Sequence, residues 1–152
     1  MRRKKVKLVA VALPAALVVG AIARPTSAKD SAYTFYMTLR AVSGEDNKQF
    51  HDLAEGELTV TGEIWVTEKK AQSTTTPNPV TIEIRKRGSY FSAGPMVCSF
   101  TVMPAVAHFQ RRAYNHSCPR VAAGSYVVFV SKAISDKTDG WTLQGSGTLK
   151  NP

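Results

Sequence analysis

Leu58-Thr59-Val60-Thr61-Gly62-Glu63-Ile64-Trp65-Val66-Thr67-Glu68 is the stretch that decides the fold. Its even positions carry Leu58, Val60, Ile64 and Val66, and its odd positions carry Thr59, Thr61, Glu63 and Thr67. Successive side chains of a strand point to opposite faces, so this period of two describes a strand with one face in a core and the other in water. The threonines, valines and isoleucine suit a pleated surface. One residue breaks the pattern: Trp65 stands with the polar set.

The same period continues outward in both directions. Tyr33, Phe35, Met37, Leu39 and Ala41 share one parity against Thr34, Thr38 and Arg40, with Tyr36 on the polar side as the second exception. Val80, Ile82 and Ile84 alternate with Thr81, Glu83 and Arg85; Met96, Cys98, Phe100 and Val102 alternate with Val97, Ser99, Thr101 and Met103. Trp141, Leu143 and Leu149 share a parity with the small Gly145 and Gly147. Residues 126–130 are apolar on both faces and read as a central strand, entered through the turn-like Ala122-Ala123-Gly124-Ser125. Residues 109–118 form the least regular candidate, interrupted by Gln110, Arg111 and Arg112. The pattern predicts an all-β chain: an immunoglobulin-like antiparallel β-sandwich of about seven strands, with a small β-barrel as the alternative. Among the connections, 43–57 is acidic, and its Phe50, Leu53 and Ala54 have the spacing of one helical turn. Residues 69–79 are polar with two prolines and predict a mobile hairpin-end loop. Residues 104–108 predict another short helical turn.

The amino-terminal residues are of a different kind. Arg2, Arg3, Lys4, Lys5 and Lys7 precede an apolar run over 8–23, followed by Arg24-Pro25-Thr26-Ser27-Ala28. Charged head, apolar middle and small-residue exit predict a cleaved secretory signal peptide over 1–28, leaving 29–152 as a single β-sandwich domain. The apolar run is shorter than the roughly 20 residues of a spanning helix and contains Pro14 and Gly20, so no stable membrane insertion is expected after cleavage. The product is expected to be secreted and extracellular.

Cleavage also changes the charge. The full chain has a formal net charge of +9, but six of its 20 basic residues precede the cut and all 11 acidic residues follow it, leaving +3. That is ordinary for a small domain, and the cluster Arg85-Lys86-Arg87 with Arg111, Arg112 and Arg120 comes with no nucleic-acid module, so no nucleic-acid partner is expected. Residues 29–68 are net −5 and 69–152 net +8. These charges form two faces if the halves separate, and mix if the strands interleave.

Two cysteines in an exported chain predict one structural disulfide, Cys98–Cys118. His116 shares a strand face with Cys118, but a catalytic thiol needs a positioned base and an electropositive site that the residues do not supply. No metal or cofactor is expected. His51, His108 and His116 are dispersed, and the acidic set Glu45, Asp46, Asn47, Asp52, Glu55 and Glu57 lacks the spacing of a calcium loop. Asn115-His116-Ser117 is a glycosylation sequon. Gly124-Ser125-Tyr126 is not a nucleophile elbow, and no catalytic residues are assigned.

Trp65 and Tyr36 remain as candidate binding residues, because aromatics on polar strand faces suit stacking on sugar rings or on a partner's apolar patch. The alternative for both is a minor core under a loop. The resulting expectation is a non-catalytic binding or interaction module whose partner is a cell-wall component, another extracellular glycan or an extracellular protein. A secreted inhibitor or toxin-like effector inserting the 69–79 loop is the second reading, and a small extracellular hydrolase the third.

Overall fold

Alternation of apolar and polar residues gives each strand one face to bury, and two sheets meet over those faces. The structure, a computed structural model, describes residues 30–88, 94–133 and 139–151. The segment expected to be cleaved, 1–28, lies outside the described residues. Among them are nine strands: β1 (Ser31–Met37), β2 (Ala41–Ser43), β3 (His51–Leu53), β4 (Gly56–Lys69), β5 (Val80–Lys86), β6 (Met96–Val102), β7 (Arg112–Val121), β8 (Gly124–Lys132) and β9 (Trp141–Lys150). One sheet runs β1-β9-β4-β7 and the other β2-β8-β5-β6, with the short β3 also paired to β8; every pairing is antiparallel.

The all-β antiparallel sandwich is therefore as expected. Within that class the order is a jelly roll, a four-strand and a five-strand sheet between which the chain repeatedly crosses. It is not the immunoglobulin order, in which the first two strands share a sheet. The count exceeds about seven because β2 and β3 are three residues each, too short to show a period. A barrel is absent among the described residues: the sheets end on separate edge strands, β1 and β7 in one, β2 and β6 in the other.

The core joins most of the predicted apolar sets, while Leu39, Ala41 and Met96 are exposed beyond it. Leu58, Val60, Ile64 and Val66 of β4 are fully buried with Val80, Ile82 and Ile84 of β5 and Leu143 and Leu149 of β9. Gly145 and Gly147 lie on the same inner face because aromatic rings cross them. An added Cβ at Gly145 would stand 2.3 Å from the Phe35 ring, and one at Gly147 would stand 2.6 Å from Tyr33 Oη and 2.3 Å from the Thr61 carbonyl. The central β8 is buried on both sides over Tyr126–Val128, as its sequence predicts.

Three connections differ from expectation. Residues 51–53 pair with β8 instead of forming a helical turn. His51 is buried there, its Nδ1 2.7 Å from Ser31 Oγ and its ring edge-on to Tyr33. Burial holds its pKa below the ordinary value, with the Asp52 charge pulling the other way. Residues 104–108 also form no helix: His108 makes a parallel bridge to Val66, and Phe109 N–H donates to the Val66 carbonyl at 2.9 Å.

The 69–79 segment is not a hairpin end, because β4 and β5 belong to different sheets. It is tied to the start of β9. Trp141 Nε1 donates to the Thr74 carbonyl at 3.1 Å, Ser73 Oγ to the Gly140 carbonyl at 2.9 Å, and Asn78 N–H to Asp139 Oδ2 at 3.1 Å. The other Asp139 oxygen receives Lys132 Nζ at 2.7 Å and the Trp141 N–H at 3.1 Å, while Lys132 also donates to the Trp141 carbonyl. Both charged side chains of this pair are fully inaccessible. Burial alone would raise the Asp139 pKa, but the hydrogen bonds from Lys132, Asn78 and Trp141 and the Lys132 charge hold it below the usual carboxylate value.

The two charge halves interleave. Acid-rich β4 lies between β9 and β7, and acid from the first half meets base from the second in Glu63–Arg111 and Glu55–Arg120. No two-faced dipole results from the described strands.

Candidate functional site

Directly opposed residues of paired strands share a face, so the register shows what the outer surface of the β1-β9-β4-β7 sheet assembles. Tyr36 lies opposite Gln144, and Gln144 lies opposite Trp65. The two exceptional aromatics are thus in one transverse row, separated by β9 instead of sitting on neighbouring strands. The row continues past Trp65 to Arg111, whose guanidinium carbon stands 4.3 Å from the centre of the Trp65 ring. Arg111 Nη1 is also 2.7 Å from Glu63 Oε2. From β1 to β7 the row crosses three strand spacings, about 14 Å.

The rings differ in exposure. Tyr36 is 57% exposed. Trp65 is half-buried, flanked by Arg111 on the same segment whose His108 and Phe109 dock on Val66. The loop therefore borders the indole, and Gln144 beside it remains exposed. Phe109, at φ 57° and 63% exposed, projects from that segment with its ring 4.7 Å from His108. A bulky residue in the left-handed region is uncommon and is held here by its N–H bond to Val66.

A depression lies at each end of the row. Beside β1, a shallow groove of about 330 Å³ is lined by Thr34, Tyr36, Asn47, Gln49 and Gln144. Gln49 Oε1 accepts the Thr34 N–H at 3.0 Å, satisfying one donor of this edge strand. At the other end, edge strands β6 and β7 face each other across an open cleft of about 610 Å³, whose lining includes Phe100, Met103, Arg112, Tyr114 and His116. Phe100 and His116 stack with centroids 4.5 Å apart and planes at 19°, and Tyr114 tilts against Phe100 at 5.7 Å. Tyr114 Oη is 2.7 Å from Tyr33 Oη. Burial, opposed by the hydrogen bond from Tyr33 and aided by the Glu63 charge, pushes the Tyr114 phenol up to about 12, and burial raises Tyr33 as well. Neither phenol is an acid–base group near neutral pH.

The expected disulfide is present: Cys98 of β6 and Cys118 of β7 are bonded, with Cα atoms 5.6 Å apart, and it joins the two sheets at this side of the sandwich. His116 lies beside it, and these three make the one group of His, Cys and acidic residues close enough for a metal among the described residues. Both sulfurs are already bonded to each other, so the group is not a ligand set. The acidic residues of 43–57 do not converge, and Glu55 pairs with Arg120 at 3.1 Å.

The basic residues do not gather into one patch either. Arg85 bonds Glu83 at 2.6 Å and lies over Phe129, and Arg87, just past β5, lies over Phe50 at 4.1 Å, whereas Arg112 and Arg120 are on β7 of the opposite sheet and Arg111 immediately precedes it.

Sequence parity selected Tyr36 and Trp65, whereas Gln144, Arg111, Asn47 and Gln49 come from pairing register and loop position. Gln144 carries the one available signal, as it sits on the polar parity of its strand.

The strand order defines a jelly-roll β-sandwich. No protein-family model matches the chain, and no curated protein does. Among solved structures, one described as "CBM4 structure and function" is similar at 14% identity and TM-score 0.49, covering 82% of this chain and 78% of that one. A carbohydrate binding module (CBM6cm-2) from Cellvibrio mixtus lichenase 5A, in complex with cellotriose, is similar at 9% identity and TM-score 0.46, covering 86% and 92%. A chain from Bacillus endospore appendages, described as a novel family of disulfide-linked pili, has 13% identity and TM-score 0.29, covering 81% and 89%. Likeness of this extent does not carry a ligand or a residue role from one chain to another.

Proposed function

We propose that this protein is a small secreted, non-catalytic module that binds an extracellular glycan across the outer face of the β1-β9-β4-β7 sheet. The observation that carries the reading is the row Tyr36–Gln144–Trp65. Two aromatic rings supply flat apolar faces for sugar rings, and the amide between them supplies a donor and an acceptor for hydroxyls. Arg111 fixes the indole from one side while Glu63 fixes Arg111, so the ring is ordered before ligand arrives, and ordering it in advance reduces the cost of binding. The row is open at both ends, which suits a polymer crossing the sheet. Candidate carboxylates on this face are few, and Glu63 is already engaged by Arg111.

The test is capture of the purified protein by cell-wall and polysaccharide suspensions, beside Trp65→Ala and Tyr36→Ala, with melting curves for all three. Removing a central aromatic anchor costs about 2 kcal/mol, roughly thirtyfold in affinity. Trp65→Ala is expected to show that loss with its melting temperature nearly unchanged, and Tyr36→Ala a smaller one. Retained capture by a folded Trp65→Ala protein would remove the row as the site, and a collapse of stability would make Trp65 a core residue.

A further inference from the structure

Resting on the glycan reading above, we infer that the glycan is acidic and that Arg112 receives a sugar carboxylate where the polymer leaves the sheet at the β7 edge. The transverse row ends at Arg111, and Arg112 is the next residue, with the opposite parity. Arg111 is engaged on the outer face by Glu63 and Trp65. Arg112 lies opposite the fully buried Ile64, in the same core-facing set as Tyr114, His116 and Cys118. Such a position is normally apolar. Here it is at the first residue of an edge strand, where β6 and β7 stand apart, so the guanidinium is exposed and lines the cleft.

Among the described residues Arg112 has no hydrogen-bond or ion-pair partner. Its nearest sequence neighbour in charge, Arg111, neutralises Glu63, which leaves Arg112 as uncompensated positive charge at this end of the row. Guanidinium presents a planar fork of donors that matches a carboxylate. The rest of the cleft provides what a sugar ring needs: the Phe100–His116 stack, the Tyr114 ring and the Met103 side chain. The opposite end of the row has a different character, because the groove beside Tyr36 is lined by the neutral amides of Asn47, Gln49 and Gln144. A neutral start and a cationic end describe a polymer whose charged residue lies at the β7 side.

The experiment uses two polyuronates, polygalacturonate and alginate, each beside its carboxyl-reduced neutral counterpart, titrated against the purified protein by affinity electrophoresis and calorimetry. The expected result is a preference of about tenfold for at least one polyuronate over its reduced form, the size of one charge-assisted hydrogen-bond pair, shrinking as salt is added. In Arg112→Gln that preference is lost and the acidic and reduced polymers bind alike; Trp65→Ala weakens both. Equal binding of acidic and reduced polymers by the wild type overturns the acidic assignment and leaves the glycan reading standing. Binding of none of these polymers overturns the acidic assignment, and absence of capture by the cell-wall and polysaccharide suspensions as well overturns the glycan reading. A preference that persists in Arg112→Gln with a wild-type melting curve overturns the role of Arg112.

Discussion

Lys132 and Arg112 occupy equivalent kinds of position with opposite outcomes. Each is a cation at the end of a strand, on the parity that faces the core: Lys132 is the last residue of β8, after Tyr126, Val128 and Val130, and Arg112 is the first of β7, before Tyr114, His116 and Cys118. Lys132 is 2% exposed, with Asp139 and the Trp141 carbonyl around its ammonium group. Arg112 is exposed beside a cleft with no carboxylate on it. A cation on a core-facing parity is either enclosed and paired, in which case it holds the fold, or left open, in which case it is available to a ligand. The difference arises from what surrounds each strand end. The 69–79 segment brings Asn78 and Thr74 into the Asp139–Trp141 network around Lys132, whereas the residues lining the cleft between β6 and β7 bring no carboxylate to Arg112.

The largest effect expected from breaking this contrast is at the enclosed end. Asp139→Ala leaves a buried ammonium without its counter-charge, which costs about 3–5 kcal/mol in comparable pairs. Urea unfolding is expected to show that loss, and a change below 1 kcal/mol would mean the network is dispensable. Adding Lys132→Met removes the stranded charge and returns part of the stability. The return is incomplete, because the N–H groups of Asn78 and Trp141 still lack the Asp139 oxygens. The pair also gives a pH signature. The unfolded carboxyl titrates near 3.8 and the folded one lower, so the stability it contributes is complete above pH 3.8 and is lost as pH falls through the folded value. That acid-dependent loss is expected to flatten in Asp139→Ala.

The disulfide comes next. It joins β6 to β7 on the side where the cleft opens, and closing a loop with a sequence separation of 20 contributes about 3 kcal/mol on the chain-entropy estimate. Cys98→Ala/Cys118→Ala is expected to lower the urea midpoint accordingly. Because the bond joins the two walls of the cleft, the double variant is also expected to lose the preference assigned to Arg112. Unchanged discrimination in the weakened protein would show that the cleft walls are positioned by the sheets alone.

Much of this was legible in the residues. The buried sets of β1, β4, β5 and β9 follow from parity, as does the isolation of Trp65 and Tyr36 on the polar side. The contrast between Lys132 and Arg112 was not legible, because 126–130 are apolar on both faces and 109–118 show no regular alternation. Strand order was not legible, because period two states that a strand is half-buried and not which strand it meets. The row across Tyr36, Gln144 and Trp65 depends on register between β1, β9 and β4, which lie far apart in the chain. The helical spacing of Phe50, Leu53 and Ala54 is not realised, because 51–53 pair with β8, a distant strand, and three residues are too few to display a period of two. The 69–79 segment reads as a free loop although Asn78 and Thr74 are partners of Asp139 and Trp141, because polarity alone does not distinguish a solvated loop from a tied one.

The smallest effect is expected at Arg112 itself, and it sharpens the comparison most. If Arg112 were part of the scaffold, as Lys132 is, Arg112→Gln would lower stability by kilocalories. An exposed cation without a hydrogen-bond or ion-pair partner among the described residues has little to lose, and substitutions of that kind change stability by less than about 0.5 kcal/mol. Urea midpoints of Arg112→Gln and wild type are therefore expected to coincide within error, while those of Asp139→Ala and wild type are far apart. Glutamine keeps a polar side chain and removes the charge, so any larger loss would reveal a structural partner for the guanidinium. Coincident midpoints together with altered polymer preference would place Arg112 on the recognition side of the contrast, since a scaffold residue cannot change binding without first changing stability or shape.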